Sequence, residues 1–330
     1  MKAAYIEKTG PPENIHVGDL PKPEPAEGQV LVKIDATDIN PIDTYVRGGL
    51  VAMPLPNPYI LGCDLAGVVE ALGPGATQYQ VGDRVWGSNQ GMLGRQGTLA
   101  EYAAVDEQWL YPTPHGITSE ALVALSLVGI TAHLGLVHYA KLQAGEIVFV
   151  NGGTGGVGSA VVQMAKALGA SVITTAGSSD KIKRCRDFGA DLAINYKTED
   201  VDARIKQFAP QGINLWWETL REPDFDRTVA LLAARGRMVL MAGRDARPPF
   251  PVGPFYVKGC SLFGFAMFNA TAAQQRAAAD DINRWVAEGK LQANIDRILP
   301  LSEAAAAHRL QEDNTINKAG TLAGKIVLKP

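Results

Sequence analysis

One stretch constrains this chain more than any other: Val148-Phe149-Val150-Asn151-Gly152-Gly153-Thr154-Gly155-Gly156-Val157-Gly158, an apolar run that passes through glycines into helix-forming residues. Gly153, Gly155 and Gly158 keep the G-x-G-x-x-G spacing of a dinucleotide-binding turn. Each glycine answers a separate demand. Gly153 is expected to allow the tight turn, Gly155 to leave the backbone open to a pyrophosphate, and Gly158 to let the helix lie close on the strand. The phosphates then meet a helix N-terminus, where free N–H groups and the helix dipole favour negative charge.

A glycine-rich turn is also a plain connection, so its setting decides. Val157, Val161, Met164, Ala165 and Leu168 recur at helical spacing, Gly169 is placed as a stop, and Ser171-Val172-Ile173-Thr174-Thr175 reads as the next strand. That completes a βαβ unit. Further strands are predicted at residues 192–195, 214–218, 237–242 and 260–265, each separated from the last by a helical stretch. With residues 147–151 and 171–175 they make six, the number of a doubly wound α/β dinucleotide fold with a parallel sheet.

Before this region the texture differs. Residues 3–7, 30–36, 65–71, 84–87 and 99–105 read as short strands between Pro and Gly clusters, which suits a compact β-rich domain. Pro54, Pro56 and Pro58 mark a loop. After residue 265, Thr271 and Gln274 form a capping-box pair and Gly289 is placed to end the helix. Ser302 is placed to cap a second helix at 303–311, and residues 324–328 read as a closing strand. This tail lies beyond the sixth strand, so it is expected to return to the β-rich domain. The predicted division is residues 1–122 with 266–330, and residues 123–265 for the nucleotide domain.

A chain of 330 residues exceeds what one core usually organises, in keeping with two domains. The formal charge of −3 gives no support for binding nucleic acid or an anionic membrane. Cys63, Cys185 and Cys260 are dispersed and odd in number, which suggests neither a disulfide framework nor a thiolate zinc site. The N-terminal residues lack an apolar signal core, so a cytoplasmic location is expected. The uncharged run 121–140 is long enough to raise the question of a membrane helix, but Ser126, Gly129, Thr131, His133, Gly135 and His138 interrupt it. A buried interdomain helix is expected there.

Several segments resemble the medium-chain dehydrogenase/reductases, and within them the zinc-free quinone oxidoreductases of the zeta-crystallin type. They are Asn40-Pro41-Ile42-Asp43-Thr44-Tyr45-Val46-Arg47-Gly48-Gly49, Gly62-Cys63-Asp64-Leu65-Ala66-Gly67-Val68-Val69, Val81-Gly82-Asp83-Arg84-Val85, Gly129-Ile130-Thr131-Ala132, Gly236-Arg237-Met238-Val239, Ala306-Ala307-His308 and the glycine turn. The likeness spans nearly the whole chain. It implies a Rossmann domain joined to a GroES-like β-rich domain. Zinc-dependent members carry Cys where Asn40 stands, His where Cys63 stands, and a four-cysteine lobe in the region of residues 88–97, which here has none. An amide and one thiol do not make the three-ligand set of a catalytic zinc, so no metal is expected.

The second predicted strand ends at Thr174-Thr175-Ala176-Gly177-Ser178-Ser179-Asp180-Lys181. A site that prefers NAD usually has an acid at this strand end for the ribose hydroxyls, whereas Gly177 leaves room for a 2′-phosphate. The resemblance makes Lys181 and Tyr196 partners of that phosphate and implies NADPH. A solvated lysine and a strand-end tyrosine are the bland alternatives. It also places Tyr45, Thr131, Met241, Ala242, Gly243, Ala266, Met267 and Phe268 beside the nicotinamide, with Thr154, Gly156 and Val157 completing the phosphate turn. Asn40 and Tyr45 are the expected catalytic pair, Asn40 as an amide donor and Tyr45 either as a proton donor or as a packing group.

Without a Lewis acid the acceptor must stabilise its own charge, which quinones and activated enones do and simple ketones do not. The reading is hydride transfer from NADPH to a quinone. A 2-alkenal or enone reductase is the alternative enzyme, and an NADPH-binding structural or regulatory crystallin-like protein the alternative outside catalysis. The resemblance and the apolar run Ser261-Leu262-Phe263-Gly264-Phe265 at a predicted sheet edge together imply a homodimer.

Overall fold

The computed structural model describes residues Met1–Pro330. Its first stretch alternates short strands with Pro- and Gly-bearing turns: β1 (Lys2–Ile6), β2 (His16–Asp19), β3 (Gln29–Ile39), helix α1 (Pro41–Arg47), β4 (Tyr59–Ile60), β5 (Leu65–Leu72), β6 (Arg84–Gly87), β7 (Tyr102–Asp106) and β8 (Leu110–Pro112). The strand expected at 99–105 begins later, because Ala100 makes only an isolated bridge to Ala3. The two-residue β4 and the exposed β2 lack the alternation that would betray them in sequence.

The run 121–140 is not one continuous helix. Two short helices, α2 (Ser119–Val123) and α3 (Ser126–His133), lead into a π-helical segment at Leu134–Tyr139. Its end is fixed by stacking: the Tyr139 and Phe265 rings lie 4.6 Å apart and 18° from parallel. No helix is long and apolar enough to cross a membrane.

Strict alternation follows, through β9 (Ile147–Val150), α4 (Gly156–Ala167), β10 (Ser171–Ala176), α5 (Ser179–Asp187), β11 (Leu192–Asn195), α6 (Val201–Phe208), β12 (Ile213–Glu218), α7 (Phe225–Leu231), β13 (Leu232–Leu240), α8 (Val252–Val257) and β14 (Ser261–Gly264). The six strands are parallel and ordered β11-β10-β9-β12-β13-β14, the doubly wound Rossmann order in which the chain reverses direction beside the first strand. The sheet is buried, with Phe149 and Trp216 in ring contact at 4.0 Å inside a core that also holds Ile173, Ile194, Ile205 and Met238. Each such side chain contributes roughly 1.5–3 kcal/mol on burial.

The chain ends with α9 (Ala272–Ala287), β15 (Ile295–Pro300), α10 (Ala304–Thr315) and β16 (Lys325–Lys329). The capping box before α9 is present, with Thr271 N donating to Gln274 Oε1 at 2.9 Å and Gln274 N to Thr271 Oγ1 at 3.2 Å. Ser302 does not cap α10. It sits in a 3-10 turn, and Glu303 takes the N-cap position without a side-chain bond. The tail does return: β16 pairs antiparallel with β3, Ile326 opposite Ile39, inside a seven-stranded sheet.

Two compact units result, residues 1–130 with 270–287 and 293–330, and residues 131–269 with 288–292. The first holds the seven-stranded sheet and the three-stranded sheet β2-β1-β4, and is GroES-like; the second is the Rossmann unit. Both boundaries fall a few residues later than the sequence suggests. Residues 288–292 also belong to the second unit, where Gln163 on α4 receives a bond from Gln292 N at 2.9 Å and returns one to its carbonyl at 3.0 Å.

Candidate functional site

In the Rossmann unit the C-terminal ends of the strands carry the expected nucleotide residues. The turn after β9 works differently in one detail from the sequence reading. The positive φ, 70°, is at Gly152 and not at Gly153. Gly153 is needed for a steric reason, since a Cβ there would stand 2.3 Å from Thr174 Oγ1 on β10. At Gly158 a Cβ would stand 2.2 Å from Gly152 O, so only glycine lets α4 approach the turn. A Cβ at Gly155 would meet nothing nearer than Gly152 O at 3.4 Å, which leaves that position open outward. Gly155 is the N-cap of α4, and the first helical bond runs from Ser159 N to Gly155 O at 2.9 Å. The N–H groups of Gly156, Val157 and Gly158 therefore lack intrahelical acceptors and form a cradle suited to a pyrophosphate. Thr154 is buried in the same turn.

One strand over, β10 and β11 pair in register to Ala176 opposite Asn195, which brings Gly177 beside Tyr196. Tyr196 N donates to Ala176 O at 3.2 Å, and a Cβ at Gly177 would stand 2.4 Å from Tyr196 Oη. Tyr196 is 56% exposed despite its size, its ring lying over a glycine and leaving an open face. Ser178 caps α5 by accepting from Lys181 N, so Lys181 rides on the first turn of that helix. A glycine, an exposed phenol and a helix-start lysine thus share one strand end. No acid stands at position 177, where the Tyr196 ring lies over the glycine.

At the other half of the sheet, Met241, Ala242 and Gly243 follow β13, while Ala266, Met267 and Phe268 follow β14 by one residue more. Trp217 Nε1 donates to Met241 Sδ at 3.1 Å, and Gly243 takes φ 81°. Met267 is 3% exposed and Thr131 5%, whereas Ala266 is exposed. Arg244 is exposed on its loop, and Arg247 Nη1 donates to Ala246 O.

In the GroES-like unit α1 carries Tyr45, which is partly exposed, and begins after Asn40, which is fully buried. Asn40 is not presented as a donor to a ligand. Its Nδ2 donates to Asp38 Oδ1 at 3.0 Å and to Asp64 Oδ2 at 2.9 Å, and its Oδ1 accepts from Lys325 Nζ. Both amide hydrogens are engaged within the protein, and these bonds tie the start of α1 to β3, to Asp64 just before β5, and to β16. Asp43, on the first turn of α1, accepts from Asn40 N at 2.7 Å and from Cys63 Sγ at 2.9 Å.

Sequence reasoning missed the rest of this network. Asp38 and Lys325 form a buried ion pair at 2.9 Å, and Lys325 Nζ also donates to Ile39 O at 3.0 Å. Burial holds the Asp38 carboxyl well above the usual carboxylate range, against the pull of Lys325. Burial likewise moves Asp43 up to about 6, and burial with the Asp43 charge beside it pushes the Cys63 thiol up. Cys63 is thus a neutral thiol donating a hydrogen bond, unlike a metal-binding thiolate. No group of three or more His, Cys, Asp or Glu side chains is arranged to hold a metal ion. Tyr59 and Trp86 are core residues, Tyr59 donating to Gly91 O at 2.6 Å and Trp86 Nε1 to Asn283 Oδ1 at 3.0 Å.

The chain is similar in sequence and fold to known proteins. Residues 26–115 match the alcohol dehydrogenase GroES-like domain family and residues 156–284 the zinc-binding dehydrogenase family. The chain is 32% identical over 332 residues to a quinone oxidoreductase of Sus scrofa, covering 99% of this chain and 97% of the relative. It is 32% identical over 316 residues to one of Pseudomonas aeruginosa, covering 93% of each. Its fold matches the Escherichia coli quinone oxidoreductase complexed with NADPH with a TM-score of 0.86 at 26% identity over the whole of both chains. The glycine turn, the doubly wound sheet and the GroES-like unit together with these full-length likenesses make the chain a member of the medium-chain dehydrogenase/reductase superfamily, in its quinone oxidoreductase family.

Proposed function

We propose that this protein is a cytoplasmic NADPH-dependent quinone reductase that works without zinc, as a homodimer. The observation that carries the reading is the engagement of Asn40 and Cys63. The amide is bonded to two carboxylates and an ammonium, and the thiol donates to Asp43, so neither offers a metal an electron pair without dismantling a buried network. An acceptor that delocalises its own negative charge suits such a site, and the quinone oxidoreductases among its relatives accord with that.

Bound NADPH supplies hydride from its nicotinamide. The chain's part is to hold and orient: the N–H groups at the start of α4 take the pyrophosphate, Gly177, Lys181 and Tyr196 take the 2′-phosphate, and Thr131, Met241, Ala242, Gly243, Ala266, Met267 and Phe268 line the nicotinamide half. Tyr45 serves the acceptor and nicotinamide by contact. A reduced quinone carries its charge on oxygen, where water protonates it, so no positioned acid is needed. A 2-alkenal needs a proton on carbon, and there a donor such as Tyr45 matters by ~10²–10⁴-fold.

The test is NADPH oxidation by the wild type and Tyr45→Phe, with a small para-quinone and a 2-alkenal in parallel, before and after treatment with a chelator. Quinone turnover is expected to survive both the substitution and the chelator. Far better wild-type turnover of the alkenal, lost about a hundredfold in Tyr45→Phe, replaces the quinone reading with the enone one. Stoichiometric zinc with activity lost on chelation removes the zinc-free claim. An absence of turnover with every acceptor favours a structural or regulatory NADPH binder.

A further inference from the structure

We infer that Glu218 is a positioning residue for the pyrophosphate turn, acting on it through Asn151. The inference rests on the NADPH reading and extends it to a residue that touches neither phosphate nor acceptor.

Glu218 ends β12 and is 2% exposed, yet its carboxylate makes no ion pair. It is held by hydrogen bonds alone: Asn151 Nδ2 reaches Oε1 at 2.9 Å and Oε2 at 3.0 Å, Trp216 Nε1 reaches Oε2 at 3.0 Å, and Leu220 N reaches Oε1 at 2.8 Å. Those contacts occupy the roughly four lone-pair positions of a carboxylate. A buried acid without a cation is expensive, and hydrophobic residues of similar size would fill the strand end at less cost. What the acid holds is informative.

Asn151 is the residue before Gly152, where the chain leaves β9 at φ 70°. Its backbone is fastened to the same strand end, with Asn151 N donating to Trp217 O at 3.2 Å and Thr219 Oγ1 donating to Asn151 O at 3.0 Å. On the opposite flank Gly152 N donates to Thr175 Oγ1 at 3.2 Å and Gly153 N to Thr175 O at 3.1 Å. The turn is therefore pinned from β10 on one side and β12 on the other. Its N–H groups are aimed before any phosphate arrives, and binding is spared the cost of ordering them. Glutamine in place of Glu218 keeps the shape but has one acceptor oxygen, so its NH2 faces a donor from Asn151, Trp216 or Leu220 and the side-chain part of the β12 fastening is weakened while the two backbone bonds of Asn151 remain.

The experiment is calorimetric titration of the full chain, wild type and Glu218→Gln, with NADPH and with adenosine 2′-monophosphate. The latter carries the 2′-phosphate without the pyrophosphate. Glu218→Gln is expected to raise the NADPH Kd about tenfold while moving the Kd of the monophosphate less than about twofold. Asn151→Ser, which removes the amide and keeps both backbone bonds, is measured alongside, so the test survives a poorly folding Glu218→Gln. Unchanged NADPH affinity in both variants overturns the inference. So does equal weakening of both ligands with a lowered Tm, which marks a general structural role. A wild type that binds neither ligand overturns the NADPH reading itself.

Discussion

Lys181 shows how much one residue's setting contributes. Its charge alone says little, since a lysine near a helix start is ordinarily solvated. Its place on the first turn of α5 sets it at the same strand end as Gly177 and Tyr196, which is what the proposed 2′-phosphate role rests on. Tyr196 Oη would lie 2.4 Å from a Cβ at 177, so a side chain there would displace the Tyr196 ring from its place over the glycine. Removing a charge-assisted contact to phosphate costs roughly 1.5–3 kcal/mol. Lys181→Ala is therefore expected to weaken NADPH about tenfold or more and to spare NADH, read by fluorescence titration of both cofactors. Equal losses for the two would show that Lys181 does not read the 2′-phosphate. Gly177 was legible because an absent side chain is visible in sequence; the ring above it was not, because it arrives from β11.

At the scale of elements, the first α-helix is held by the last strand. Lys325 on β16 reaches Asn40 across 285 residues of sequence and pairs with Asp38, both side chains being almost fully buried. Asn40 links Asp38, Asp43 and Asp64 by hydrogen bonds, and Lys325 is the cation paired with Asp38 in this network. Removing one partner of a buried pair typically costs about 3–5 kcal/mol because the other is left uncompensated. Lys325→Met should lower stability by that amount in urea unfolding, and a loss below about 1 kcal/mol would show that the Lys325–Asp38 pair does not hold this network together. No periodicity announces this contact. The capping box at Thr271 and Gln274, by contrast, is local and was readable, while Ser302 failed as a cap because a 3-10 turn intervenes before α10.

For the whole molecule, the feature that matters is an open edge. β14 pairs with β13 on one side and with no strand of the chain on the other. Leu262 is 37% exposed there, and α8 just before it exposes Val252 at 64%, Tyr256 at 69% and Val257 at 76%. Edge strands with apolar surroundings invite pairing, and a second copy related by a two-fold axis satisfies the edge by closing it. Light scattering at micromolar concentration is expected to give twice the chain mass, and Leu262→Lys to shift it toward the monomer. A wild-type monomer at that concentration would sink the proposal.

Local chemistry carries far in this chain. Glycine spacing, helical periodicity and strand length are set by neighbours within a few residues, so the glycine turn, all six strands of the parallel sheet and the start of α9 are legible in the linear pattern. The remainder depends on partners brought from afar. The positive φ falls at Gly152, and Gly153 is required because a Cβ there would meet Thr174 on the next strand. Residues 119–139 break into short helices where one continuous helix was expected, and Tyr139 stacks on Phe265 from β14's end. Asn40 looks like a ligand position and is instead enclosed by Asp38, Asp64 and Lys325. A buried polar group must find its partners wherever the fold supplies them, and that choice is made by topology, which a linear pattern does not contain.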